Sequence, residues 1–207
     1  GRPVLALLAL SAGTAWAQMD MPALTYDVVE ISYPIGRDPV MTRETHAMRR
    51  DGSTVVVTPV NATDGTTYEL RRIQDLARGS NSQVNTGVRT VTTTPLRGNM
   101  IDQVRNAPER SCGAPMNAAR VKVGDYYALR FTTVVDLMPN ARGGEVQTER
   151  LVAPQLGCAA LLTVIREGGG VRTIRQIENI RLGEPDPGLF IVPAGYREAP
   201  PAEREAD

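Results

Sequence analysis

Val121 to Leu137 reads VKVGDYYALRFTTVVDL. Tyr127, Leu129, Phe131, Thr133 and Val135 alternate with Tyr126, Ala128, Arg130, Thr132 and Val134. This period of two, rich in aromatic and β-branched residues, predicts a long half-buried antiparallel strand, with a split at Gly124. Glu145 to Ala153 (EVQTERLVA) alternates in the same way after a turn at Asn140 to Gly144 and reads as the returning strand. Leu161 to Arg166 is a further strand, ended by Gly168-Gly169-Gly170.

Upstream, Thr25 to Tyr33 (TYDVVEISY) suits a first strand stopped by Pro34. Met41 to Arg50 and Ser53 to Val60 flank Asp51-Gly52 and predict a β-hairpin, with Asp-Gly filling two positive-φ positions. Gly65 to Leu70 follows the turn at Asn61 to Gly65 as a third member of the meander. Ala77 to Gln83 (ARGSNSQ) has a loop composition, and threonine-rich Val88 to Thr94 reads as strand. Pro95 to Arg120 has no clean period and reads as a long loop with one helical turn at Met100 to Arg105.

Two periods compete over Val171 to Arg181. Val171, Ile174, Ile177 and Ile180 recur at a helical spacing, but the isoleucine and threonine content and the preceding glycine turn favour a strand. Beyond it, Gly183 to Tyr196 (GEPDPGLFIVPAGY) is too proline-rich for a central strand and too apolar for a free tail. It is expected to pack as a short turn of helix and an extended clamp anchored by Tyr196. The expected organisation is a signal peptide at 1–17, one β-rich domain at 18–200 and a flexible tail at 201–207.

The signal peptide is read from GRPVLALLALSAGTAWAQ at the start of the 207 residues. One positive charge at Arg2, an apolar run from Val4 to Leu10 and Ala15-Trp16-Ala17 make its clipped n-region, h-region and cleavage site. The apolar run falls far short of the roughly 20 residues of a membrane span. Export to the periplasm or the exterior is therefore expected, and no transmembrane segment in the mature chain. Arginine supplies all the basic charge except Lys122, a bias that points to a bacterial source. The two cysteines, Cys112 and Cys158, are expected to form a disulfide in that compartment.

Basic and acidic side chains balance at 23 each. With no basic run beyond Arg49-Arg50 and Arg71-Arg72, nucleic acid is excluded as a partner. A single histidine and paired cysteines cannot furnish a zinc site, and no nucleotide loop or nucleophile elbow occurs, so no cofactor is expected. His46 shares a strand face with Glu44 among polar neighbours and reads as a solvated strand histidine. Asp125, Asp136, Glu145, Glu149 and Glu178 could form a hydrolase pair across strands. Arg130, Arg150, Arg166, Arg172 and Arg175 are available to neutralise them instead. Glu184 and Asp186 are too few hard ligands for calcium and serve the turn.

Pro154-Gln155-Leu156-Gly157-Cys158, Ile180 to Pro187, Leu189-Phe190 and Val192-Pro193-Ala194-Gly195-Tyr196 resemble the C-terminal signature of exported bacterial proteins without assigned chemistry. Arg50-Asp51-Gly52-Ser53 resembles their early hairpin. In outline these proteins are similar to a superfamily of envelope proteins, some of which carry or sense lipoproteins. That resemblance implies a mainly β fold: a strongly curved, half-barrel-like antiparallel sheet with few short helical segments and a C-terminal extended clamp. It carries over no functional residue.

The leading expectation is a non-enzymatic binding or carrier domain for an apolar or amphipathic ligand, a lipid among them. Tyr127, Leu129, Phe131, Val135, Leu161 and Ile165 are its candidate lining. The alternative is a structural or interaction module docking on an envelope protein, with an open edge along Val88 to Thr94. A hydrolase using surface carboxylates ranks third.

Overall fold

A computed structural model describes residues 22–98, 112–135 and 145–199. The signal peptide at 1–17, the helical turn at Met100 to Arg105, Asp136, the turn at Asn140 to Gly144 and the tail at 201–207 lie outside these residues.

Alternating β-branched residues build two meanders. The first comprises β1 (Leu24–Ser32), β2 (Val40–Met48), β3 (Thr54–Asn61), β4 (Thr67–Asp75), β5 (Ser80–Asn85) and β6 (Thr90–Pro95). The second comprises β7 (Ala119–Val123), β8 (Tyr126–Val135), β9 (Val146–Ala153), β10 (Ala159–Glu167) and β11 (Gly170–Leu182). Antiparallel pairing of β1 with β11 joins them, and β12 (Arg197–Glu198) adds to β6 in parallel. The result is one 12-stranded sheet in the order β12-β6-β5-β4-β3-β2-β1-β11-β10-β9-β8-β7.

This order corrects the half-barrel expectation. The end strands β12 and β7 are not neighbours, so the sheet is open and is neither strongly curved nor closed. Nor does a helix of even seven residues cover it among the described residues. Among the described residues the 3-10 turns are Pro154–Leu156 and Pro187–Phe190, and no helix there is long or apolar enough to cross a membrane.

Three local readings also change. The stretch at Val121 is a hairpin, because Gly124, at φ 56°, lets Val123 pair with Tyr126 across a two-residue turn. Leu76–Gly79 is the turn before β5, so the polar composition of Ala77 to Gln83 covers a turn and half a strand. In the Asp51-Gly52 hairpin only Gly52 has positive φ, 85°. Arg49 N donates to Ser53 O and Gly52 N to Arg49 O, which makes a three-residue loop with glycine in the left-handed position. Val171 to Arg181 lies within strand β11, whose β-branched side chains and pairing with β1 and β10 override the competing helical period.

The packing differs between the meanders. Ala47, Val55, Val57, Ile73, Val84 and Val91 form a buried cluster across β2–β6. The C-terminal segment closes over it with Phe190 buried and Leu189, Val192 and Tyr196 packed alongside. Asp186 accepts from Gly188 N at 2.8 Å and starts the turn that aims Phe190, while the Arg49 guanidinium lies 3.9 Å from the Phe190 ring centroid. Around the second meander small and large residues share the interior, with Leu24 of β1 joining Ala128, Ala153, Leu156 and Leu161 in one cluster. A separate cluster of Ala114, Phe131 and Val152 is closed by the segment that begins at Cys112.

Candidate functional site

Successive strand residues point to opposite faces, so His46 and Ala47 on β2 look in opposite directions. Ala47 belongs to the buried cluster under the clamp. His46 opens onto a groove of about 430 Å³ on the other face, spanning β1, β2, β11, β10 and β9.

Register assembles the groove from distant chain segments. Val28 pairs with Ile177, Glu30 with Arg175, Arg175 with Thr163, and Thr163 with Arg150. Val28, Val152, Ala160, Ile165 and Ile177 give an apolar floor. The Cys112–Cys158 disulfide, with its Cα atoms 5.3 Å apart, forms part of the wall and holds the 112–118 segment against Phe131 and Val152.

The opposite wall is ionic. His46 Nε2 donates to Glu44 Oε2 at 3.1 Å, and the His46 ring stacks on Tyr26 with centroids 5.2 Å apart. Thr58 donates to Glu44 Oε1 at 2.9 Å, Arg175 to Glu44 Oε2 at 3.4 Å, and Arg72 approaches Oε1 at 3.8 Å. Arg175 also lies 4.0 Å from Glu30. A smaller hollow of about 150 Å³, lined by Thr42, Glu44 and Arg72, adjoins the groove at Val28, Glu30 and Arg175.

Burial lowers the His46 pKa below 6.5, against the hydrogen bond and charge of Glu44, and the Arg175 and Arg72 charges reinforce the lowering. Burial also pushes the Glu44 carboxyl up. Hydrogen bonds from His46 and Thr58, with the charges of His46 and Arg175, outweigh it and hold Glu44 below the usual carboxylate range. Burial raises the Tyr26 phenol, against the Arg175 charge. At neutral pH the wall therefore presents a neutral imidazole, an ionised carboxylate and a protonated phenol.

His46 is not a solvated strand histidine: its side chain is only 18% exposed because the Tyr26 ring covers it. The candidate lining residues separate. Ile165 lies in the groove. Leu161 does not, because the β9–β10 register shifts between Ala160 and Leu162 and Leu161 packs with Leu24. Phe131 and Leu129 lie under the 112–118 segment. Tyr127 is exposed beneath the Arg120 guanidinium, 4.5 Å from its ring centroid, and Val135 is exposed at the end of β8.

Of the candidate carboxylates, Glu149 and Glu178 meet arginines. Glu149 bridges Arg130 at 2.7 Å and Arg166 at 3.3 Å, and the Arg130 hydrogen bond holds its pKa low. Glu178 bonds Arg43 at 3.0 Å, Glu145 accepts from Gln147, and Asp125 occupies the β7–β8 turn. Glu184 reaches the Arg50 side chain at 3.5 Å. Among the described residues no group of three or more His, Cys, Asp or Glu converges to hold a metal ion.

Sequence reasoning placed Glu44 and His46 on one face but missed Tyr26, Glu30, Arg150 and Arg175 as their neighbours. The one available signal was a charged residue two places from an apolar one on the same strand face, as Glu30 with Val28, Arg150 with Val152 and Arg175 with Ile177.

No protein-family model matches the chain, and no curated protein matches it significantly. Among solved structures it is similar to the LolA superfamily protein NE2245 from Nitrosomonas europaea, at 6% identity and a TM-score of 0.39, over 84% of this chain and 92% of that one. It is also similar to the Pseudomonas aeruginosa MucA/MucB complex structure, at 15% identity and a TM-score of 0.36, where it spans 57% of the matched chain.

Proposed function

We propose that this chain is a non-enzymatic binding domain that works in the bacterial periplasm or after secretion and shelters an apolar or amphipathic ligand in the groove. The observation that carries the reading is the meeting of an apolar floor, Val28, Val152, Ala160, Ile165 and Ile177, with an ionic wall in one open groove of about 430 Å³. That volume falls within the roughly 300–1,000 Å³ of small-molecule sites. The export signal read at 1–17 and the disulfide support the compartment.

The wall's chemistry favours holding over turnover. His46 is committed to Glu44 and Tyr26, and the two cysteines are joined to each other.

Native mass spectrometry of mature protein, purified from the periplasm without reductant, tests the reading. A retained mass of lipid size, lost on organic extraction and prevented by Ile165→Glu, is the expected result. A mature protein that carries no such mass and takes up no added amphiphile would overturn it.

A second reading, docking on another envelope protein, draws on β7 at the sheet end and on exposed Tyr127, Val134 and Val135 of its neighbour β8. The threonine-rich edge is less available. Arg197 N donates to Arg89 O, and Ala199 N to Val91 O, which lays β12 along the first half of β6. A stable co-purifying protein lost on Val123→Pro would favour this reading over the first.

A further inference from the structure

The groove's charges do not cancel. Glu44 is engaged by His46, Arg72 and Arg175, and Glu30 lies nearest Arg175. Arg150 has no carboxylate partner among the described residues. Its chain neighbour Glu149 points to the opposite face and is taken by Arg130 and Arg166. Its cross-strand partners, Phe131 and Thr163, bring no charge. Among the described residues three guanidiniums, Arg72, Arg150 and Arg175, thus face two carboxylates around the groove and its adjoining hollow, and one positive charge is left over.

The leftover charge stands beside the apolar part of the groove. Val152 is two residues along β9 on the same face, and Ala160, Ile165 and Ile177 continue the floor. An isolated cation at the margin of an apolar surface complements a ligand with one negative head and one apolar chain. A groove near the lower end of the small-molecule range has room for a single chain.

Resting on the binding function proposed above, we infer that the groove takes a single-chain amphiphile with a monoanionic carboxylate head. Arg150 pairs with the head, and Val152, Ala160, Ile165 and Ile177 hold the chain. Arg175 and Arg72 are held back by Glu30 and Glu44, which would repel a second negative charge. The site therefore selects one charge rather than two.

The test is calorimetric titration of the delipidated mature protein with dodecanoate, with neutral 1-dodecanoylglycerol and with dodecyltrimethylammonium, each below its micellar concentration. Dodecanoate is expected to bind tightest. Arg150→Gln is expected to weaken it roughly threefold to fivefold, the effect of losing one partly exposed charge pair. Arg150→Lys should restore most of the loss, Arg150→Glu should shift the preference to the cation, and dodecanoylglycerol should bind the Gln variant as it binds the wild type. Arg150 is exposed, so these variants keep the fold.

Equal binding of all three amphiphiles, or dodecanoate affinity unchanged by Arg150→Gln, would overturn the charge assignment and leave the amphiphile reading standing. Failure of the wild type to bind any of the three would remove the binding function itself, and this inference with it.

Discussion

The two meanders belong to one sheet yet are finished differently. Over β2–β6, Ala47, four valines and one isoleucine make a layer of small and β-branched side chains, and the chain's own C-terminal segment seals it with Phe190. Across β1 and β9–β11, among the described residues, the disulfide-held segment covers one side of the opposite face, and the groove lies beside it. An open sheet of twelve strands cannot bury its faces against a closed barrel interior. Each face depends on whatever segment is laid over it. Where the cover is complete the molecule gains stability, and where it is partial the molecule gains a site.

The sharpest way to break this comparison is to remove the seal. Phe190→Ala empties a ring that is 4% exposed and removes the Arg49 contact. It should cost about 3–5 kcal/mol, read as a lower urea midpoint. A loss under about 1 kcal/mol would mean that the clamp is an ornament on a sheet stable without it.

On the other half the corresponding element is the disulfide, whose cysteines are 46 residues apart. Replacing both by serine should cost about 2–4 kcal/mol by freeing the unfolded chain. It should also raise hydrogen exchange in the 112–118 segment while leaving β3–β5 protected. If protection falls equally in both meanders, the two covers are not independent and the comparison fails.

Legibility in the sequence followed the same division. The first meander and its clamp are written locally: a turn at Asp51-Gly52 before the valine-rich run Val55 to Val60, then Leu189, Phe190 and Val192 between prolines and Tyr196. The groove is written nowhere locally. Val28 meets Ile177 only through pairing of strands about 150 residues apart, and single-strand alternation carries no record of that pairing. Alternation also failed at Leu161, where a bulge moves the side chain off the face that its spacing with Ile165 implies. The half-barrel came from a resemblance in the C-terminal signature, and that signature encodes the clamp over one meander and not the closure of the sheet.

A third experiment sharpens the contrast by overfilling. Val84 is 1% exposed beneath the clamp, and Val84→Phe should cost about 1–3 kcal/mol because no space receives the ring. Ile165→Phe projects into the groove and should cost less than about 0.5 kcal/mol while displacing bound amphiphile. Equal costs at the two positions would mean that the groove is packed as tightly as the valine layer.

The smallest expected effect concerns the seam between the clamp-covered strands and the groove, at His46 and Glu44 on β2. Burial depresses the folded His46 pKa below 6.5, so between that depressed value and 6.5 the unfolded chain holds the extra proton. Stability from this residue is therefore complete above pH 6.5 and is lost as pH falls through the folded value. Glu44 acts with the same sign lower down. Its folded pKa lies below 4.5, so its contribution is complete above pH 4.5 and is lost as pH falls through its own folded value. The two losses begin at different pH values, and His46→Gln separates them: it should flatten the decline that begins at pH 6.5 and keep the one that begins at pH 4.5. Urea unfolding of both proteins between pH 7.5 and 3.5 checks this. An unchanged slope below pH 6.5 in the variant would mean that His46 meets water as freely as a surface histidine, and that the groove face is open at the seam as well.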